Sequence, residues 1–182
     1  MVKRLTPKAW ARATRFVQEH ARPLEQALWA YWFGGAERDR VVAELARFQN
    51  FDGGFGHGLE PDFWLPASSP LATTVGLQYA DLLDLPSSHP LVTKAVRYLL
   101  GSLDPHELRW PAVPEAVNLS PHAPWWHVDP ATGRSAVEAT WANPSAEVVG
   151  YLWQHARLVP TVFRDRLTER ALSAIRSASW PI

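Results

Sequence analysis

The sequence predicts an all-α protein assembled from pairs of helices, and three observations carry that prediction. Apolar residues recur at helical spacing in seven segments. One of those segments is duplicated further along the chain. No run alternates apolar and polar residues as a half-buried strand would.

In chain order, Trp10, Ala13 and Val17 share one face of a helix over 7–20, and Leu24, Leu28 and Tyr31 one face of 23–33. Val41, Leu45 and Phe48 do the same over 37–49, and Leu91, Ala95 and Tyr98 over 88–101. Helices over 70–84 and 144–158 are the duplicated ones, and Phe163, Leu167, Ala171 and Ala174 mark 161–177.

The duplication is read by aligning Ser69–Tyr79 with Asn143–Trp153, an offset of 74 residues. Pro70 falls on Pro144, Ala72 on Ala146, Val75 on Val149 and Gly76 on Gly150. Tyr79 falls on Trp153, and Pro86 on Pro160, where the second helix of each pair is expected to begin. A fainter copy starts at Pro23-Leu24 with Trp32 in the Tyr79 position, and Trp110-Pro111 recurs as Trp180-Pro181. Ser69 and Asn143 are good N-caps, and proline suits the first helical position, where its missing N–H costs nothing. Gly76 and Gly150 sit where glycine weakens a helix, so a neighbouring helix is expected to approach closely at both.

Composition narrows the class. At 182 residues, with 47% apolar and 20% charged residues, the chain suits a single globular domain over 1–182. Formal net charge is zero, which gives no electrostatic footprint for nucleic acid. No stretch approaches the ~18 consecutive apolar residues that would suggest a membrane span. Cysteine is absent, removing disulfides and thiolate chemistry together and fitting a cytoplasmic protein. Ten tryptophans and sixteen prolines exceed ordinary usage, and many fall in two long connectors, 50–68 and 102–143. Long connectors without helices are usually functional or disordered, and this aromatic content argues for order.

Gln49-Asn50-Phe51-Asp52-Gly53-Gly54-Phe55-Gly56 resembles the repeat motif of prenyltransferases and squalene cyclases. The glycine pair allows positive φ, Asp52 can bond the turn's own backbone, and Phe55 is placed to fill the gap between helices. The resemblance implies an α/α toroid, a ring of helical hairpins around a central cavity, here a partial ring of about seven helices. It also implies an isoprenoid-like organic ligand in that cavity. The acidic Asp-x-Asp-Asp proton donor of the cyclases has no counterpart in this sequence, nor does the cysteine of the prenyltransferase zinc site. The connector from Trp110-Pro111 to Trp125-Trp126-His127 is similar to that of bacterial toroid proteins without an assigned activity. Because Trp180-Pro181-Ile182 repeats the start of a long connector and stops, the ring is expected to be incomplete at its C-terminal end. A natural half-ring would instead close by self-association through its open end.

Two clusters can carry chemistry. In His57-Gly58-Leu59-Glu60-Pro61-Asp62-Phe63-Trp64, Glu60 and Asp62 are candidates for acid and base, with His57 moving protons. Extended residues two apart would present both carboxylates on one face. The alternative is structural, with Asp62 capping a turn and Glu60 paired with an arginine. In the second cluster, His122, Trp125, Trp126 and His127, with Asp129, can form a stacking platform for a sugar or a cation, or can plug one end of the array. Trp64 and Trp110 complete the expected pocket wall. His57, Glu60, His122 and His127 are chemically capable metal ligands, but their spacing matches no dedicated motif, so no metal or cofactor is expected. Glu147 reads as a helix-dipole complement, and His20, His89, His106 and His155 as surface or helix-end residues. Three functions remain open. They are binding of a small organic ligand with acid–base chemistry, carbohydrate binding or processing, and a non-catalytic scaffold.

Overall fold

The computed structural model describes residues 4–177. Trp180-Pro181, the second copy of Trp110-Pro111, lies outside them. The described chain contains seven α-helices: α1 (Pro7–His20), α2 (Pro23–Gly34), α3 (Arg38–Ala46), α4 (Pro70–Leu82), α5 (Pro90–Gly101), α6 (Ala142–Gln154) and α7 (Thr161–Ser177). It divides into two compact units, one up to Arg47 and one from Phe48.

In the first unit α1 packs on α2 and α2 on α3. Thr6 caps α1, its hydroxyl accepting from the Ala9 N–H at 3.2 Å, and Pro7 follows at the first helical position. Trp10 stacks on Trp29 with ring centroids 5.1 Å apart, and Phe33 closes on both rings.

In the second unit the helices form two pairs, α4 with α5 and α6 with α7, and the duplicated helices α4 and α6 pack on each other. Ser69 caps α4 as its sequence predicts, its hydroxyl accepting from the Ala72 N–H at 3.0 Å. Asn143 is extended (φ −102°, ψ 121°), so regular helix in α6 opens at Pro144, the counterpart of Pro70. Eight of the thirteen residues of α4 are buried, making it the core helix of this unit. Polar links join the pair of duplicated helices. Gln78 donates to Glu147 at 2.8 Å and Gln154 donates to Asp81, so Glu147 serves as a bridge between helices.

The Gln49–Gly56 turn works much as its residues suggest. Asp52 Oδ1 accepts from the Gly54 N–H at 2.9 Å and from the Ser68 hydroxyl at 2.7 Å. Gly53 has φ +92°, which only glycine adopts at little cost. Gly54 is required for space instead, since a Cβ there would meet Ser68 and Tyr98. Burial and the nearby Asp52 carboxylate push the Tyr98 phenol well above its ordinary pKa. Gln49 anchors the turn to α5, its amide donating to the Gly53 and Leu91 carbonyls at 2.9 Å each.

The expected helix–helix approach at the two glycines does not occur. At Gly76 the close neighbour is the ring of Phe55, a connector residue, and at Gly150 a Cβ would meet nothing within 4 Å among the described residues. One small sheet also appears where no strand is expected: β1 (Val128–Asp129) pairs antiparallel with β2 (Arg134–Ser135). Strands of two residues are too short for alternation to reveal.

The long connector is fixed to both duplicated helices near their starts. The Leu71 N–H of α4 donates to Ala112 O at 3.1 Å, and the Trp110 N–H donates to Ser145 Oγ of α6 at 3.0 Å. Leu71 and Ser145 are equivalent positions in the duplication. Among the described residues no helix is long and apolar enough to cross a membrane.

Candidate ligand-binding groove

The two sequence clusters lie side by side in the second unit. Phe63 forms a bridge with His122, the Trp64 N–H donates to Pro121 O at 2.8 Å, and the Ala123 N–H donates to Asp62 O at 2.8 Å. Backbone pairing, and not convergence of carboxylates, is what joins them.

Residues 57–62 form turns rather than extended chain, so the premise that set Glu60 and Asp62 on one face does not hold. The Glu60 carboxylate instead accepts from the Asp62 N–H at 3.4 Å, and the Asp62 side chain is exposed. His57 has φ +55° and meets the Asn50 amide oxygen through Nε2 at 2.8 Å, facing the glycine turn.

The tryptophans separate by environment. Trp110 is fully buried, its indole N–H donating to Leu99 O at 2.6 Å, so it is core and not pocket wall. Trp126 is buried against Phe63 in an edge-on contact at 5.2 Å, and its indole N–H finds no acceptor among the described residues. Trp125 remains 47% exposed and Trp64 66% exposed, so these two keep a ring face available. Among the described residues no three His, Asp or Glu side chains gather closely enough to hold a metal ion, including the set around His122 and His127. His155, at the end of α6, is buried rather than superficial, with Nδ1 2.8 Å from Ser87 Oγ.

An open cleft lies further along the same connector. One groove of about 370 Å³ is lined by Asp104, Glu107, Arg109, Thr132, Arg134 and Glu138, among others. A second, of about 540 Å³, shares Thr132, Arg134 and Glu138 and extends to Pro124, His127 and Asp129. Of the second sequence cluster, His127 and Asp129 line this cleft.

Arg109 and Glu138, both buried, form its floor. Arg109 Nη2 lies 3.6 Å from Glu138 Oε1 and donates to the Glu138 carbonyl at 3.3 Å. Arg109 Nη1 lies 3.8 Å from the half-exposed Glu107, which also pairs with Arg134 through both carboxylate oxygens. The other Glu138 oxygen accepts from the Ser135 N–H at 3.1 Å and from its hydroxyl at 2.8 Å, the geometry of a capping box. At the rim, Asp104 accepts from the backbone N–H groups of Glu107 and His106, which hold its carboxyl below the usual range. The cleft therefore presents charges of both signs, with Asp104, Glu107, Arg109 and Glu138 each held by two partners.

Sequence reading passed over Arg109, Glu107, Arg134 and Glu138. The available signal was Ser135-Ala136-Val137-Glu138, a capping-box pattern in a segment otherwise read as loop. Comparison with models of known families, with curated proteins and with solved structures gives no match.

Proposed function

We propose that this chain is a ligand-binding domain whose long connector takes a small, polyhydroxylated ligand of the carbohydrate class. The observation that carries the reading is the Arg109–Glu138 pair, buried at the base of an open cleft whose walls alternate donors and acceptors. Hydroxyl groups that both donate and accept match such walls, whereas an isoprenoid calls for an apolar cleft. Trp125, half-exposed in the same short turn as Pro124 of the groove wall, supplies a face on which a sugar ring can stack.

We propose further that the helix pairs are part of an α/α toroid related in fold to prenyltransferases and terpenoid cyclases. The packing of α4 on α6, equivalent helices of two hairpins, supports this, as does the Asp52–Gly54 turn. Exposed Leu172 and Ile175 on α7 support self-association at that edge of the array.

Saturation-transfer NMR of the full chain, with a panel of mono- and disaccharides beside farnesol, tests the ligand class. Transfer to sugar protons is expected, and Arg134→Ala, on a half-exposed wall residue, should weaken it about tenfold, or about 1.4 kcal/mol. Transfer to farnesol alone, or an Arg134→Ala response equal to wild type, overturns the reading.

A further inference from the structure

His122 and His127 meet end to end on the connector. Their ring planes differ by 18° and their centroids are 5.5 Å apart, while His122 Nε2 and His127 Nδ1 are only 3.3 Å apart. The rings are thus nearly coplanar and touch at their edges, with a single hydrogen between the facing nitrogens.

The direction of that hydrogen bond follows from a third group. His122 Nδ1 lies 2.6 Å from the Ser120 carbonyl oxygen, which can only accept, so Nδ1 carries a hydrogen. In an uncharged ring that leaves His122 Nε2 bare, and His127 Nδ1 must donate to it. Uncharged His127 then has its own Nε2 without a hydrogen. Backbone ties on either side, from His122 to Phe63 and from Ala123 to Asp62, hold the first ring in place.

We propose that His127 Nε2 is the hydrogen-bond acceptor of the larger groove, receiving the O–H of a ligand hydroxyl, with His122 as the positioning residue that fixes its tautomer. A fixed orienting partner behind a histidine is how a base is aimed at its substrate. The ligand O–H donates to the Nε2 lone pair and no covalent bond is broken, while Nδ1–H continues to donate to His122. Asp129, Arg134 and Glu138 line the same groove. The nature of the occupant rests on the carbohydrate reading above, whereas the orientation of the pair does not.

Long-range nitrogen–proton correlation spectra of the full chain, recorded at a pH where both rings are uncharged, report the tautomers directly. Wild type is expected to carry Nδ1–H on both His122 and His127. His122→Phe removes the acceptor and should send His127 to the Nε2–H form, while His122→Gln, whose amide oxygen can accept, should retain Nδ1–H. Acylation of His127 by diethyl pyrocarbonate, followed by mass spectrometry, should slow several-fold in His122→Phe and recover in His122→Gln. An Nε2–H His127 in wild type, or one tautomer shared by all three proteins, overturns the proposal. Nδ1–H on His127 together with failed sugar binding would refute the ligand class alone.

Discussion

Gly76 and Gly150 occupy the same register of the duplicated helix, yet a methyl group added at each meets opposite surroundings. At Gly76 a Cβ would stand 2.6 Å from Cδ2 and 2.7 Å from Cε2 and Cγ of Phe55. Those contacts involve the root of the ring as well as its edge, so the whole side chain would have to move. It has little freedom to do so. Phe55 is buried, its N–H donates to Thr73 Oγ1 at 3.0 Å, and its carbonyl accepts from the Ser69 N–H at 3.0 Å. Overpacking of this kind costs roughly 1–3 kcal/mol. Replacing glycine by alanine inside a helix returns about 0.5–1 kcal/mol. Gly76→Ala is therefore expected to lose about 1 kcal/mol net, and at most about 2.5 kcal/mol. At Gly150 the added methyl meets nothing within 4 Å among the described residues, so only the helix gain of about 0.5–1 kcal/mol remains. Urea titrations followed by tryptophan fluorescence and far-ultraviolet circular dichroism compare the two. The midpoint should fall for Gly76→Ala and rise for Gly150→Ala at an unchanged slope. A Gly76→Ala protein as stable as wild type would show that Phe55 has room to retreat. A destabilised Gly150→Ala would mean that the exposed side of α6 is covered in solution.

Two further outcomes follow from buried ionisable groups. Glu138→Ala strips Arg109 of its buried partner and Ser135 of its cap, and should cost about 3 kcal/mol in a thermal melt. Glu138→Gln keeps an acceptor for Ser135 and should lose less, so equal losses in the two variants would refute the capping role. His155 is held below its ordinary pKa by burial, with the Asp81 carboxylate partly offsetting the shift. The unfolded chain therefore binds this proton more readily than the folded one, so stability is intact above about pH 6.5 and declines as pH falls below it toward the depressed folded value. Replacing His155 with asparagine should flatten that decline in urea titrations across the same range. A wild-type protein that grows more stable on mild acidification contradicts the assignment.

Helix positions were legible because their causes are local. Ser69 with Pro70, and Thr6 with Pro7, announce helix starts through capping and a fixed φ, and both starts stand where those residues place them. Asp52 and Gly53 likewise specify a turn within a few residues. The candidate site was legible only at His127 and Asp129 and in the Ser135–Glu138 capping pattern, because the contact at its base is remote in sequence. Arg109 reaches Glu138 across 29 residues, and nothing in either residue's neighbours marks the pairing. The tryptophans make the same point. Trp110 and Trp125 each neighbour a proline, yet one is sealed into the core and the other half-exposed. The difference arises from Leu99 and Ser145, which accept the two N–H groups of Trp110. Glu60 and Asp62 misled for a related reason, since a turn in place of extended chain changes where both carboxylates go.

What the duplication supplies, and what it leaves to be filled, explains why the cleft lies where it does. A helix that opens with proline still has unpaired N–H groups in its first turn. In α4 one of these, on Leu71, is satisfied by the Ala112 carbonyl. At the equivalent position of α6 the side chain is serine, and its hydroxyl accepts from the Trp110 N–H two residues away on the same strap. A pair of copied helix starts thus grips one segment, by a backbone donor in one copy and a side-chain acceptor in the other. Once fixed at Trp110 and Ala112, the chain beyond is held by a rigid scaffold and carries no duplicated residues that packing dictates. Binding groups collect on such segments because loops on a scaffold vary without cost to the core. Arg109 lies one residue before the grip, and Asp129, Arg134 and Glu138 lie on the span beyond it. If that is the origin of the cleft, Ser145→Ala should loosen Arg109 and its neighbours in hydrogen exchange while leaving α5 protected. Equal protection of the 104–139 segment in both proteins would show that the connector stands without its grip on the helix starts.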